Sequence, residues 1–450
     1  MQKDSNSSKF AQSLLRWSVE WGLARPRSCA TTFEARPRLQ YPVRLPSVRD
    51  RMFQTLDVPP EDPILGLIAA FRNDPWPDKV DLGVGVYRDE RGLTTVLETV
   101  KAAEHRLVTE QDSKTYLGPT GNERFNEAIA TLVLGAKHSA LRDNRVRTVQ
   151  APGGCGALRI GAELIRKANP TTPILVSDPT WANHVPLLSS AGIQLQRYPY
   201  YDKATGAVQF DRMMSSLDAL APGTVVLLHG ACHNPTGADL SQQQWQRVAD
   251  LLSQRGLVPF VDLAYQGLGD GLDEDAYGAR LLAEKLPEVL VAVSCSKNFG
   301  LYRERVGALI VIGQSRQHAD AAAANLGKIA RGIYSMPPDH GAAIVTRILE
   351  DSKLATQWRR ELTKMRERIG TLRKALSEAL MLACPGRDFS QIVAQRGMFS
   401  MLDLTPASVD RLRQEQHIYM PGDGRINISG LREQRVDYVA WSVAEEFGRA

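Results

Sequence analysis

Four apolar runs in the middle of the chain end on residues able to do chemistry. Arg145–Gln150 is followed by Gly153, Gly154, Cys155 and Gly156, and Thr224–His229 by His233-Asn234-Pro235-Thr236-Gly237. Leu257–Val261 ends at Asp262 with Tyr265 just beyond, and Val289–Val293 leads into Ser294-Cys295-Ser296-Lys297, with Arg305 following. Singly, each has a plain explanation: a helix cap for Asp262, a turn residue for Asn234, a solvated amine for Lys297, a tight turn for the glycines. The glycine loop is not G-x-G-x-x-G, because Arg159 stands at the third glycine position, and this argues against a dinucleotide site. Together the residues make a different set. A lysine amine forms an imine with an aldehyde, and a carboxylate keeps a ring nitrogen protonated so that the ring withdraws electrons. Phenol and amide donors tune a phenolate, and a cation with small hydroxyls and helix N-terminal amides holds a phosphate. Lys297, Asp262, Tyr265 with Asn234, and Arg305 with Ser294, Ser296 and the Gly154–Cys155 turn fill the needs of a pyridoxal phosphate site.

Such a set needs a scaffold that brings strand ends together. From Arg145 to Ile312, short β-branched runs alternate with amphipathic stretches. Strands are expected at Arg145–Gln150, Pro173–Ser177, Thr224–His229, Leu257–Asp262, Val289–Ser294 and Val306–Ile312. Helices are expected at Ala157–Lys167, near Trp181–Ser190, at Gln242–Gln254 and at Ala276–Lys285. This alternation predicts an α/β fold with a mostly parallel sheet buried on both faces, whose ligands sit beyond the carboxyl ends of the strands. Leu354, Trp358, Leu362, Met365, Ile369, Leu372 and Leu376 recur at helical spacing, so one long helix is expected over Ser352–Leu382. Beyond it, strands at Met398–Leu404 and Arg425–Ser429 and helices at Ser408–Gln416 and Val436–Phe447 form a smaller α+β domain. The boundaries drawn are an extension over 1–51, the first part of the small domain over 52–95, a large domain over 96–355, and the long helix with the rest of the small domain over 356–450.

Composition bounds the alternatives. With 43% hydrophobic and 23% charged residues, the 450-residue chain is globular in character, not disordered or fibrous. No apolar run approaches the ~20 residues of a membrane helix. The net charge of +5 is misleading as a whole. Residues 1–51 hold ten basic and four acidic groups, and the remainder holds 45 and 46, so the basic balance does not point to nucleic acid. The Arg- and Ser-containing start, with an apolar stretch at Leu14–Leu23, has some marks of a mitochondrial transit peptide. Asp4, Glu20, Glu34 and Asp50 argue for a plain tail and a cytoplasmic protein instead. The five cysteines, Cys29, Cys155, Cys232, Cys295 and Cys384, are odd in number and form no C-x-x-C pair. That excludes a disulfide framework or zinc site as the first expectation and points to a reducing compartment without a metal.

The motifs SCSKNFGLYRERVG at 294–307, HNPTG at 233–237, DLAYQG at 262–267 and PGGCGALR at 152–159 resemble the aspartate and aromatic aminotransferases of class I. The resemblance runs from Met52 to Arg449 with the motifs in family order. It implies pyridoxal phosphate as cofactor, the fold-type I architecture, and a homodimer with two active sites at the subunit interface. It implies that Lys297 is catalytic. Trp181 in DPTWANH would stack on the cofactor ring, and His184 would orient Asp262. Tyr116 in TYLG would reach the partner's phosphate. Arg425 in GRINISG would hold the substrate α-carboxylate, with Asn234 and Trp181 beside it. Arg331 in RGIYSMPPDHG would receive a dicarboxylate's distal group from across the interface, and Gly85 in GVGVY would lie on a segment closing over substrate. Two positions depart from the family pattern. Cys155 replaces the usual threonine or serine with a weaker donor, and Met336 replaces the asparagine of aspartate-preferring members.

These residues point to transamination between aspartate or aromatic amino acids and 2-oxoglutarate by a ping-pong route, with an aspartate-preferring enzyme as the nearest alternative. A nicotinamide-dependent dehydrogenase lacks its glycine fingerprint here. A pyridoxal-binding regulator would need a helix-turn-helix ahead of the body, and the first 51 residues lack two helical periods.

Overall fold

Val and Ile runs that are buried on both faces pair into one seven-stranded sheet. In the computed structural model, residues 53, 56–59 and 63–449 are described; the expectations for the N-terminal extension, and Cys29, lie outside them. The strands are β1 (Val146–Pro152), β2 (Ile174–Asp178), β3 (Leu195–Pro199), β4 (Val225–His229), β5 (Val258–Leu263), β6 (Val289–Ser294) and β7 (Val306–Ile312). Their order across the sheet is β1-β7-β6-β5-β4-β2-β3. Every residue of β6 and β7 is buried. Alternation along the strands sends Val226, Leu228, Val261, Val291 and Ile310 into one apolar cluster and Val225, Leu227, Phe260, Leu290 and Leu309 into another. The period of two therefore fills a layer on each side of the sheet.

Four strand pairs are parallel, and β7 runs antiparallel to both β6 and β1. That reversal matters for the site. Gly307 pairs with Ser294 and Val306 with Pro152, so the start of β7 lies at the carboxyl ends of its neighbours. The connection 295–305 leaves and returns at the same edge. The edge strand β3 had no apolar run to betray it, since Gln196 and Arg197 are exposed.

The helix expected from Ala157 begins at Gly153, so the glycine turn is itself the first turn of a helix running to Ala168. The long helix spans Ser352–Ala383 and buries Leu354, Trp358, Leu362, Met365, Ile369, Leu372 and Leu376, as their spacing predicts. Val436–Arg449 packs along it. The helix expected near Trp181 is shorter, His184–Ser189, and leaves Trp181 on the preceding turn. The strand expected over Met398–Leu404 is only Phe399–Met401, because a tight turn places the Leu404 N–H on the Leu402 carbonyl. Its antiparallel partner is Arg425–Asn427, not Arg425–Ser429; a 3-10 turn takes over at Ile428. Val80–Asp81 pairs in parallel with Ile418–Tyr419, bringing the start of the described chain beside its end. Both two-stranded pairs are separate from the seven-stranded sheet. Among the described residues no helix is long and apolar enough to cross a membrane.

Candidate active site

Because β1, β4, β5 and β6 end at one edge and β7 starts there, one cavity is lined by Gly154, Cys155, Trp181, Asn234, Asp262, Tyr265, Ser294, Ser296, Lys297 and Arg305. Ten residues singled out in sequence come together. A roomier groove elsewhere, beside Arg124, Arg280 and Arg359, contains none of them.

Asp262 closes β5 and is buried. His184, fully buried at the start of its helix, donates from Nε2 to Asp262 Oδ2 at 3.0 Å. Thr180 Oγ1 lies 2.8 Å from the other ring nitrogen and orients the imidazole. Burial pushes the Asp262 carboxyl up, but the His184 hydrogen bond and neighbouring charges outweigh it, and the net position is below the ordinary carboxylate range. The cavity therefore keeps an anion at its floor. Lys297 lies on the 295–305 connection with its Nζ 4.9 Å from the Tyr265 ring centre. Burial lowers the Lys297 amine below its ordinary value, against the pull of Asp262. An amine so placed is readier to act as a nucleophile or base.

At the opposite end of the cavity, the helix beginning at Gly153 has no side-chain cap; its preceding residue is Pro152. The first-turn N–H groups thus lack capping side chains, and Arg305 lines the same space. Gly153 has φ +72°, and a Cβ there would stand 2.5 Å from Arg305 Nη2, so only glycine permits this approach. Ser294 Oγ accepts from Ser296 N at 3.2 Å and holds the turn. An uncapped N-terminus, a guanidinium and two hydroxyls form an anion cradle of phosphate chemistry. Cys155 is half-buried within it, and Asn183 Nδ2 is 3.9 Å from its sulfur.

Asn234 links this cavity to Arg425. Its Nδ2 donates to Tyr265 Oη at 3.3 Å, and its Oδ1 accepts from Arg425 Nη1 at 3.4 Å. Arg425 Nη2 donates to Gly83 O at 2.7 Å, its guanidinium lies 4.6 Å above the Phe399 ring, and its buried Nε has no partner. A buried, incompletely paired guanidinium is a ready receptor for a carboxylate. Gly85 lies against Phe399, where a Cβ would approach the ring to 3.1 Å. Tyr116 and Arg331 do not line this cavity. Tyr116 is 89% exposed, and Arg331 is exposed and donates to Ser335 Oγ at 2.9 Å. Met336 is half-buried.

Sequence reasoning passed over His229 and Phe399. His229 closes β4 and lines the cavity, with Thr180 Oγ1 3.3 Å from its Nε2; its place at the end of an apolar run was the available signal. Burial pushes His229 down to about 3, so it is a neutral imidazole at physiological pH. Phe399 lies on the strand paired with Arg425–Asn427 and stacks against the Arg425 guanidinium, and nothing local announces it.

The comparisons agree with this fold. The family described as aminotransferase class I and II matches residues 77–443. The aromatic-amino-acid aminotransferase of Pseudomonas aeruginosa is 48% identical over 386 residues, 86% of this chain and 96% of that protein. The aspartate aminotransferase of Haemophilus influenzae is 42% identical over 394 residues, 88% of this chain and all of that one (100%). Among solved structures, the aromatic-amino-acid aminotransferase of Burkholderia pseudomallei, covalently bound to pyridoxal phosphate, superposes with a TM-score of 0.86 at 44% identity, covering 88% of this chain and 99% of its own. With a matching fold, a matching sequence and an amine, carboxylate and anion cradle in one cavity, the chain belongs to the class I and II aminotransferases.

Proposed function

We propose that the protein transfers amino groups between aspartate or aromatic amino acids and 2-oxoglutarate, using pyridoxal phosphate. The observation that carries this reading is the lowered Lys297 amine set between an ionised Asp262 and an uncapped helix N-terminus. The residues fit the cofactor. Gly154, Cys155, Ser294, Ser296 and Arg305 would hold its phosphate, Asp262 backed by His184 its ring nitrogen, Tyr265 with Asn234 its phenolate, and Trp181 its ring face. When bound, it supplies an aldehyde for amine chemistry and a ring that draws electrons from the substrate Cα. Lys297 is the base: its amine takes the substrate Cα proton and holds it for return. Arg425 binds the α-carboxylate as a fork and sets which Cα bond faces that amine.

Both kinds of substrate have support. Relatives carry aromatic and aspartate names at similar identity. Arg331 offers a guanidinium for a distal carboxylate, and Met336 an apolar neighbour for an aromatic ring. Exposed in the single chain, Tyr116 and Arg331 act in this reading at the site of a second subunit, with the Gly85 segment closing over substrate. The protein is then a homodimer, and we place it in the cytoplasm. The division at 95 and 355 into a large cofactor-binding and a smaller closing domain belongs to the same reading. The test is the visible absorbance of the lysine-bound cofactor and its loss on adding aspartate or phenylalanine. Persistence of that absorbance with both donors would overturn the reading.

A further inference from the structure

Arg425 and Asn427 are two apart on one short strand, and such side chains point to the same side. Both reach the segment 83–86. Arg425 Nη2 donates to Gly83 O at 2.7 Å. Asn427 Nδ2 donates to Val84 O at 2.6 Å and to Val86 O at 2.8 Å. Asn427 Oδ1 accepts from the backbone N–H and hydroxyl of Ser429 at 3.1 and 2.8 Å. Asn427 is completely buried, and both amide protons and its oxygen are engaged. Ser429 Oγ also lies 3.1 Å from Val86 O. Beyond it, Tyr87 N donates to Tyr302 Oη at 2.8 Å, on the connection that carries Lys297 and Arg305.

The consequence falls on Arg425. One edge of its guanidinium is held by Gly83 O and Asn234, and its buried Nε has no partner. The direction of the free donors is set by where Gly83 O stands. Asp81 Oδ1 fixes the Gly83 N–H at 2.9 Å, while Asn427 fixes the carbonyls that follow. Without the Asn427 amide, Val84 O keeps only the Val86 N–H and Val86 O only the Ser429 hydroxyl, and the tie between the segment and the Arg425 strand is weakened.

We infer that Asn427 is a positioning residue for substrate: by pinning residues 83–86 it sets the aim of Arg425 at the carboxylate common to every substrate. The inference rests on the proposed role of Arg425. The side chain of Asn427 reaches neither the cavity nor the cofactor cradle, so its effect falls on the binding and orientation of substrate and not on the cofactor. An Asn427→Ser protein should show KM for aspartate, phenylalanine and 2-oxoglutarate raised by one common factor, roughly ten-fold, as expected for a charge-assisted hydrogen bond misaligned. Its kcat should also fall, by a similar factor for each substrate, because Arg425 orients Cα, while its cofactor dissociation constant, read by fluorescence titration of the apoprotein, should change by less than about two-fold. Ser429→Ala, a smaller change that decides the matter if Asn427→Ser does not fold, should raise all three KM values in the same direction. Arg425→Lys separates the two ideas. If Arg425→Lys leaves KM unchanged, the carboxylate reading falls and the inference with it. If Arg425→Lys raises KM while the Asn427 and Ser429 variants do not, or raise it for one substrate only, or lose cofactor in parallel, the inference alone falls.

Discussion

His184 donates to Asp262 across 3.0 Å of buried space, and Asp262 lines the cavity that also receives Lys297. The bond joins the first turn of one helix to the end of a central strand and keeps a buried carboxylate ionised. The Asp262 pKa is lower folded than unfolded, so its contribution to stability is present above the unfolded value of ~3.9 and is lost as pH falls through the folded value.

Replacing His184 with Ala removes the donor and leaves the carboxylate buried. The protein should lose about 1–3 kcal/mol at neutral pH in urea unfolding. The acid limb of kcat/KM should move to higher pH, because Asp262 then protonates more readily. An unmoved acid limb would show that Asp262 does not depend on this histidine.

Lys297→Ala should abolish transamination while the protein still takes up cofactor. Asp262, Arg305 and the Gly153–Gly156 turn remain to hold ring and phosphate. Equilibrium dialysis should find weakened but measurable binding, without the absorbance of the lysine-bound form. Substantial turnover by this protein would refute Lys297 as the base.

Gly153→Ala tests the anion cradle. The positive φ strains any other residue by roughly 1–2 kcal/mol, and the new Cβ displaces Arg305. Weaker retention of cofactor is expected, and weaker competition by inorganic phosphate for the apoprotein. If phosphate competes as well as in the parent protein, Arg305 is not part of the cradle.

Arg331→Leu should separate the two substrate classes. A truncated charge pair costs ~2–5 kcal/mol, or ~30–4000-fold in kcat/KM toward aspartate. Phenylalanine makes no such pair and should lose far less. Mixing Arg331→Leu with inactive Lys297→Ala protein under exchange conditions should restore aspartate activity if subunits share sites, because one interface then regains both residues. No recovery would place Arg331 with the Lys297 of its own chain.

Most of the site was legible because its parts are local. A strand buried on both faces is a continuous apolar run, and the polar residue that ends it stands out, as Asp262 does after Val261 and Ser294 after Val293. The seven-residue run at Val306–Ile312 is such a signal, and so is the helical period from Leu354 to Leu376. The resemblance to aminotransferases added Trp181, His184, Arg425, Tyr116, Arg331 and Gly85, which no local pattern had marked.

The sequence by itself determined which chemical groups end the strands, because burial and periodicity act between near neighbours in the chain. Tertiary structure decided where those groups meet. Only the antiparallel course of Val306–Ile312 returns Arg305 to the edge where Gly153 begins its helix. Only the pairing of Phe399–Met401 with Arg425–Asn427 brings Phe399 beneath Arg425, and only packing brings Asn427 onto Val84 across 343 residues of chain. Such contacts leave no periodic trace, since a hydrogen bond or a ring face constrains one position at each end and nothing between them.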